Sequence, residues 1–113
     1  VEAHAAAERV GALKYKIESA LLLGKLLIGV QDERVTELYI EVLQDAHSIK
    51  DKRSEVSALN GILQIASTKS DSMMAKEYER EVHYLLSTRD PELPESLYED
   101  LKKYAQHFFQ MSE

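Results

Sequence analysis

Residues 51–86 read DKRSEVSALNGILQIASTKSDSMMAKEYEREVHYLL, and this stretch determines the predicted fold. Its apolar residues recur at steps of three and four, the spacing of helices that each bury one face. A turn at Ser70–Asp71 separates the two helices, and Asp71 can cap the second one, which is worth roughly 1 kcal/mol. The stretch is therefore predicted to form an antiparallel helical hairpin. Its buried residues are predicted to be Val56, Leu59, Ile62, Leu63, Ala66, Met74, Ala75, Tyr78, Val82 and Leu85.

The segment before this hairpin is predicted to be helical too. Residues 1–10 are rich in alanine and favour a helix, and Gly11 is expected to end it, because glycine readily adopts the left-handed conformation found at helix ends. Residues 14–28 and 33–47 then form two amphipathic helices, the second capped by Asp32. Their inward-facing residues are predicted to be Ile17, Ala20, Leu23, Gly24, Leu27, Val35, Leu38, Leu43 and Ala46.

The segment after the hairpin contains both prolines of the chain, Pro91 and Pro94. Proline lacks the amide hydrogen that a helix interior needs, but it suits the first turn of a helix. A last helix is therefore predicted from about residue 95 to residue 110. Phe108 and Phe109 near its end are expected to form an exposed aromatic patch that drives self-association, unless another helix covers them.

A shift of 39 residues brings the turns and apolar stripes of the chain into phase. It places Asp71 on Asp32 and Tyr78 on Tyr39. One hairpin buries too little apolar surface to be stable alone, so similar hairpins are expected to stack side by side. A period in this range indicates a helical repeat array.

Two segments carry a resemblance to a known family. RVGALKYKIESALLLGKLLIGVQDERVTELYIEVL (9–43) and SIKDKRSEVSALNGILQIASTKSDSMMAKEYEREV (48–82) resemble tetratricopeptide repeats of the longer-period type, found in kinesin light chains, LGN-type scaffolds and bacterial regulators. The resemblance rests on Leu23–Gly24 and on the pattern Ala-x-x-Tyr-x-x-x-Val that begins at Ala75. Thr36, Glu79 and Lys102 depart from the family pattern.

The resemblance implies an all-α, right-handed superhelix of antiparallel helix hairpins. Residues 1–113 would form one domain, as part of a larger protein. Its parts would be a partial repeat (1–11), two repeats (12–50 and 51–89) and a partial repeat or capping helix (90–113). A compact antiparallel helical bundle is the alternative architecture.

The resemblance also implies a concave groove in which polar side chains bind a peptide. The predicted groove residues are Lys25, Asn60, Gln64, Ser67 and Lys103, on a wider face that adds Glu18, Leu21, Ile28, Ser57, Ser96, Glu99 and Gln106. An amide side chain can donate and accept along a peptide backbone, and lysine can hold a carboxylate. The same residues fit the solvent-facing side of amphipathic helices, so both interpretations stay open.

Composition argues against several other functions. The net charge is −6 and lysine and arginine are not clustered, so no direct nucleic-acid contact is predicted. The chain has no cysteine, which excludes a disulfide, a thiol nucleophile and a zinc–thiolate site. The longest apolar run, residues 20–23, is far shorter than the roughly 20 residues of a membrane span. A cytoplasmic location is expected because no export signal and no cysteine are present.

No catalytic residue, metal site or cofactor is predicted. His4 with Glu8 and His83 with Glu79 have the i, i+4 spacing of helical ligand pairs, but neither pair has a third ligand nearby. The predicted function is therefore a protein- or peptide-binding scaffold, the interaction or sensor domain of a larger regulatory protein, and not an enzyme. One alternative is a helical oligomerisation module without a peptide groove. Another is part of an enzyme whose active site lies elsewhere in the parent chain.

Overall fold

The computed structural model describes residues 2–30 and 33–109, with side chains described from residue 9 onward. Every regular element within these ranges is an α-helix, which confirms the predicted all-α class. In chain order the helices are α1 (Glu2–Leu27), α2 (Glu33–Ser48), α3 (Lys52–Lys69), α4 (Ser72–Glu77), α5 (Glu79–Ser87) and α6 (Glu95–Phe109). The predicted cap Asp32 and the predicted last helical residue, Gln110, lie outside the described residues.

Helix α1 runs without interruption through Gly11, so the predicted helix end at this residue is wrong. Gly11 does not adopt the left-handed conformation. A single glycine costs a helix about 1 kcal/mol relative to alanine, and the alanine-rich residues around it outweigh this cost. The predicted boundary between residues 11 and 12 therefore falls inside one helix.

The predicted buried face of α1 is confirmed at Ile17 and Gly24, but the prediction is wrong at Leu23, which is 47% exposed. Successive residues of a helix are rotated by about 100°. Leu23 therefore points well away from Gly24, toward solvent. The apolar spacing alone allowed either side of α1 to be the inner one.

The turns that flank α3 have the same construction. Lys50 (φ 57°) and Ser70 (φ 53°) adopt the left-handed conformation, and in each turn the next amide donates to the carbonyl five residues earlier at 2.8 Å. This is the Schellman arrangement that ends many helices. The next residue is an aspartate in both turns. Asp51 and Asp71 accept the backbone amide three residues later, at 3.3 and 3.1 Å, which confirms the cap predicted at Asp71.

The second helix of the central hairpin is broken, whereas one continuous helix was predicted. The break lies at Tyr78 (φ −106°, ψ 5°), between α4 and α5. The Tyr78 amide donates to the carbonyl of Ala75 at 3.0 Å, which is the tighter i to i−3 pattern. The chain becomes helical again at once, since Val82 donates to the Tyr78 carbonyl at 3.0 Å. No proline or glycine lies between residues 72 and 87.

Helix α3 lies at the centre of the molecule. It packs against α1, α2, α4 and α6, and α6 also packs against α4 and α5. The radius of gyration is 14.5 Å, close to the roughly 13 Å of a compact chain of this length. The predicted buried stripe of α3 is confirmed at every position: Val56, Leu59, Ile62, Leu63 and Ala66 are fully buried.

Tyr39 of α2 joins three helices, because its ring lies between Gly24 of α1 and Gly61 of α3. A Cβ atom built on either glycine would lie 2.6 Å from the ring carbon Cζ of Tyr39, which is closer than two carbon atoms can approach. The glycines thus leave the space that the ring occupies. Tyr39 is 3% exposed, and burial raises the pKa of its phenol.

The connection between α5 and α6 is held by side chains of other elements. Lys52 donates to the carbonyl of Thr88, and the Tyr98 hydroxyl accepts the Asp90 amide at 2.8 Å. The Leu97 amide donates to the carbonyl of Pro94 at 3.2 Å, so this proline stands directly before the first turn of α6, as predicted. Within the described residues, no helix is long and apolar enough to cross a bilayer.

Candidate functional site

Two grooves on different sides of α3 are candidate binding sites. The first, here called the α1/α3 groove, has a volume of about 560 Å³. It lies between residues of α1 and the first turns of α3. Its lining residues are Lys14, Glu18, Leu21, Leu22, Lys25, Tyr39, Asp51, Arg53, Ser54 and Ser57. Four residues of the predicted groove face therefore come together here, namely Glu18, Leu21, Lys25 and Ser57.

The α1/α3 groove carries unpaired positive charge. Lys14, Lys25 and Arg53 line it, and none of the three forms an ion pair with a residue that the structure describes. Asp51 is engaged in capping α3, where it also accepts the Ser54 hydroxyl at 2.6 Å. The three cations face two carboxylates, Asp51 and Glu18, so the groove has a surplus of one positive charge on a chain whose net charge is −6.

Asn60 occupies a different position from the one expected of a groove residue. Its Nδ2 donates to the carbonyl of Leu97 in α6 at 3.1 Å. Its Oδ1 is buried and has no hydrogen-bond partner among the described residues. The amide therefore connects α3 to α6, and a contact between Asn60 and a peptide stays a prediction.

The other three predicted groove residues are Gln64, Ser67 and Lys103. All are exposed on α3 or α6. In the described part of the chain they line neither candidate groove, so the structure does not bring them together with Lys25. Their role in peptide binding also stays a prediction.

The second candidate site, here called the α2/α5 groove, was not predicted. It has a volume of about 470 Å³. Most of its surface is apolar, because aliphatic and aromatic side chains form its floor and walls. Its lining residues are Ile40, Leu43, Gln44, His47, Glu55, Tyr78, Arg80, Glu81, Tyr84 and Leu85. The sequence signal that could have revealed it is Tyr84, which the apolar pattern of α5 leaves on the surface, 61% exposed.

Two carboxylates meet at the rim of the α2/α5 groove. Partial burial raises the pKa of Glu81, the Glu55 charge raises it further, and His47 opposes the shift. His47 Nδ1 lies 3.3 Å from Glu55 Oε1. Burial also raises the pKa of Tyr78, with smaller contributions from Glu77 and Glu81. The Tyr78 hydroxyl therefore lies in a negative electrostatic environment.

A third surface feature is the outer face of α1. Three residues spaced by seven and four share one side of this helix, namely Tyr15, Leu22 and Leu26, and they are 74%, 64% and 75% exposed. Most exposed large apolar residues of the described chain lie on α1 or just after it. The inner face of α1, with Ile17 buried completely, packs against α2 and α3, so α1 is apolar on two opposite sides.

Phe108 and Phe109 are half-buried and pack against the core rather than projecting as an open patch. The two ring centroids are 6.2 Å apart, and the His83 ring lies 6.4 Å from that of Phe109. Self-association through these rings stays a prediction.

No group of three or more His, Asp or Glu side chains suited to a metal ion occurs among the described residues. Comparison with protein-family models, with curated proteins and with solved structures gave no match. The candidate function therefore rests on the geometry of the chain itself.

Proposed function

We propose that this chain is a protein-interaction module that binds an extended acidic peptide in the α1/α3 groove. The observation that carries the proposal is the convergence of Lys14, Lys25 and Arg53, unpaired within the described structure, on one groove. Two of the predicted polar positions, Glu18 and Ser57, line the same groove and can hydrogen-bond a peptide backbone. A carboxylate from the peptide would meet guanidinium or ammonium donors, which form the stronger class of hydrogen bond.

The order of helix packing supports a tetratricopeptide-like array as the framework of this site. Helix α1 packs against α3, and α3 packs against α6, while α2 packs against both α1 and α3. The first helices of successive hairpins thus lie side by side, as they do in stacked hairpins. In a closed antiparallel bundle, the first and last helices would instead form a major contact. We propose a right-handed superhelix with residues 12–50 and 51–89 as its repeats.

The test is a binding measurement with a defined probe. A fluorescein-labelled peptide of alternating glutamate and serine, about eight residues long and so roughly 26 Å when extended, is titrated with the protein while anisotropy is followed. Lys25→Gln and Arg53→Gln should each weaken binding about fivefold, since each removes a charge-assisted contact. Lys69→Gln, which removes an exposed charge at the end of α3 outside the groove, is the matched control.

Lys103→Gln shows how far the site extends, because a loss of affinity would place the peptide across α3 onto α6. Equal affinity for the peptide in which glutamine replaces glutamate, or equal binding by the Lys25, Arg53 and Lys69 variants, would exclude the α1/α3 groove as a specific acidic-peptide site.

A second candidate function is self-association, and the outer face of α1 favours it. The inner face of α1 is covered by α2 and α3, whereas its outer apolar face is exposed, and contiguous exposed apolar patches mark interaction sites. We expect the wild-type chain to dimerise through this face and the double variant Tyr15→Lys, Leu26→Lys to be monomeric in sedimentation equilibrium. A wild-type chain that remains monomeric at every concentration would eliminate this function.

A further inference from the structure

We propose that the α2/α5 groove is a second binding site, and that it takes the apolar face of an amphipathic helix from a partner protein, with lysine or arginine at the edge of that face. This site is separate from the α1/α3 groove in its position, its chemistry and the charge of its ligand. It does not depend on the function proposed above.

The shape of the groove follows from how its helices pack. Helix α2 packs against α1 and α3, whereas α5 packs against α6. The space between α2 and α5 is therefore open to solvent, with Leu43 and Leu85 at its floor. Its volume of about 470 Å³ lies within the range of roughly 300–1,000 Å³ that is usual for ligand sites. An apolar trough between two helices is the receptor geometry of helix-in-groove recognition.

Two tyrosines give this groove the composition of a binding surface. Tyr84 is exposed on α5, and Tyr78, at the break between α4 and α5, is half-buried. Tyrosine rings offer a large apolar contact area at a low cost in side-chain entropy, and they are enriched where proteins bind each other. Each tyrosine also keeps a hydroxyl group that can hydrogen-bond, which suits a binding surface better than a closed apolar core.

The charges at the rim select the partner. Glu55 and Glu81 both line the groove. Desolvation raises the pKa of Glu81, the Glu55 charge also raises it, and His47 lowers it. Glu77 adds negative potential at the Tyr78 hydroxyl. A lysine or arginine side chain placed here would lie near two carboxylates and near the rings of Tyr78 and Tyr84, and aromatic faces attract cations. Arg80 and His47 are the basic residues in the lining and reduce this preference.

The experiment uses two designed peptides about 14 residues, or two heptads, long. The first peptide has leucine on one helical face and lysine on the other. The second peptide has glutamate in place of lysine. Binding of each labelled peptide to the whole chain is followed by fluorescence anisotropy, and peptide helicity is followed by circular dichroism. We expect the lysine peptide to bind and gain helix, and the glutamate peptide not to bind.

Matched pairs of variants locate the site. Tyr84→Ala should weaken binding of the lysine peptide about tenfold, while Met73→Ala, which removes an exposed apolar side chain from α4 outside the groove, should leave it unchanged. Glu81→Gln should weaken binding about three- to fivefold, as expected for a partly exposed ion pair. Glu92→Gln removes a charge from the connection between α5 and α6 and controls for general attraction to an acidic chain.

Several outcomes would overturn the proposal. One is equal binding of the lysine peptide to the Tyr84 and Met73 variants, or to the Glu81 and Glu92 variants. Another is equal binding by a lysine peptide of the same composition with a central proline, which would exclude recognition of a helix. A third is a wild-type oligomer that Tyr84→Ala dissociates, because a second copy would then occupy the groove. Lys25→Gln should have no effect, so failure here is distinguishable from failure of the α1/α3 site.

Discussion

Tyr39 and Tyr78 are 39 residues apart and occupy matching positions in the two predicted hairpins, yet their surroundings differ. Tyr39 is buried within the unbroken α2 and fills a space between α1 and α3. Tyr78 is half-buried at the break between α4 and α5 and lines the α2/α5 groove. One sequence pattern can thus supply a packing residue in one hairpin and a surface residue in the next.

The difference has a physical reason in the residues around the two rings. The ring of Tyr39 lies where Gly24 and Gly61 have no side chain. The residues 39 positions after these glycines are Leu63 and Asp100, and the Leu63 side chain is fully buried. The second hairpin therefore has no equivalent space for an aromatic ring, and Tyr78 lies at the surface instead.

The largest expected effect is the difference in the free energy of unfolding between the alanine variants of the two tyrosines. Tyr39→Ala should lower the free energy of unfolding by about 3–5 kcal/mol, as large-to-small changes of buried aromatic residues do. Tyr78→Ala should cost about 1 kcal/mol, because its ring is already partly in water. Guanidinium unfolding of both variants measures this, and equal losses would show that the two positions are equivalent after all.

The next test adds a side chain to the space that Tyr39 occupies. Gly61→Ala should destabilise the fold by about 1–3 kcal/mol, the usual cost of overpacking, despite the better helix propensity of alanine. Gly11→Ala is the control, since nothing lies within 4 Å of a Cβ atom there, and it should stabilise the fold by roughly 0.5–1 kcal/mol. Stabilisation by both changes would mean that Tyr39 moves aside easily.

A smaller loss of stability is expected on removing the hydrogen bond by which Asn60 joins α3 to α6. Asn60→Ala removes the hydrogen bond to Leu97 and should cost about 0.5–1.5 kcal/mol. Thermal unfolding detects a loss of this size. Gln64→Ala, one turn later and exposed, should stay within about 0.5 kcal/mol of the wild type. An unchanged melting temperature for Asn60→Ala would restore the interpretation of Asn60 as a residue reserved for a ligand.

The smallest expected effect concerns the groove beside Tyr78. The folded state raises the pKa of Glu81 above the ordinary value of 4.5, chiefly by desolvation, so it favours the protonated carboxyl group. The resulting stabilisation is complete below the ordinary pKa and is lost as the pH rises through the raised one. Glu81→Gln should therefore unfold at a slightly higher temperature than wild type at about pH 7.

This advantage of Glu81→Gln should disappear as the pH falls below the ordinary pKa, when the wild-type carboxyl group is also neutral. If Glu81→Gln is more stable than wild type yet binds the lysine peptide less well, Glu81 lowers stability in exchange for binding. A melting temperature of Glu81→Gln below that of wild type at about pH 7 would contradict the desolvation of the Glu81 carboxylate in the folded state.

The sequence predicted those parts of the fold that depend on local pattern. The buried stripe of α3 and the cap at Asp71 are confirmed because helical spacing and capping act between residues close in the chain. Gly11 misled the prediction because a residue that often ends helices can also be tolerated inside one. The break at Tyr78 could not be predicted, since no proline or glycine marks it.

The candidate site was predictable only in part, for a similar reason. Glu18, Lys25 and Ser57 belong to helices whose polar sides the pattern identifies, and α1 and α3 bring these sides together. The α2/α5 groove unites residues of α2, α3 and α5, and its apolar lining resembles core in the sequence. Whether an apolar residue such as Tyr84 is covered depends on which other helices lie against it.

The sequence alone was enough to establish that this protein is all-α and which side of α3 is buried, because these depend on the 3.6-residue period and on hydrophobic burial. Only the tertiary structure decided that Tyr39 lies against two glycines, that Asn60 bonds to α6 and that α2 and α5 leave a groove between them. These features arise from contacts between residues far apart in the chain, which depend on the space that each helix leaves for its neighbours.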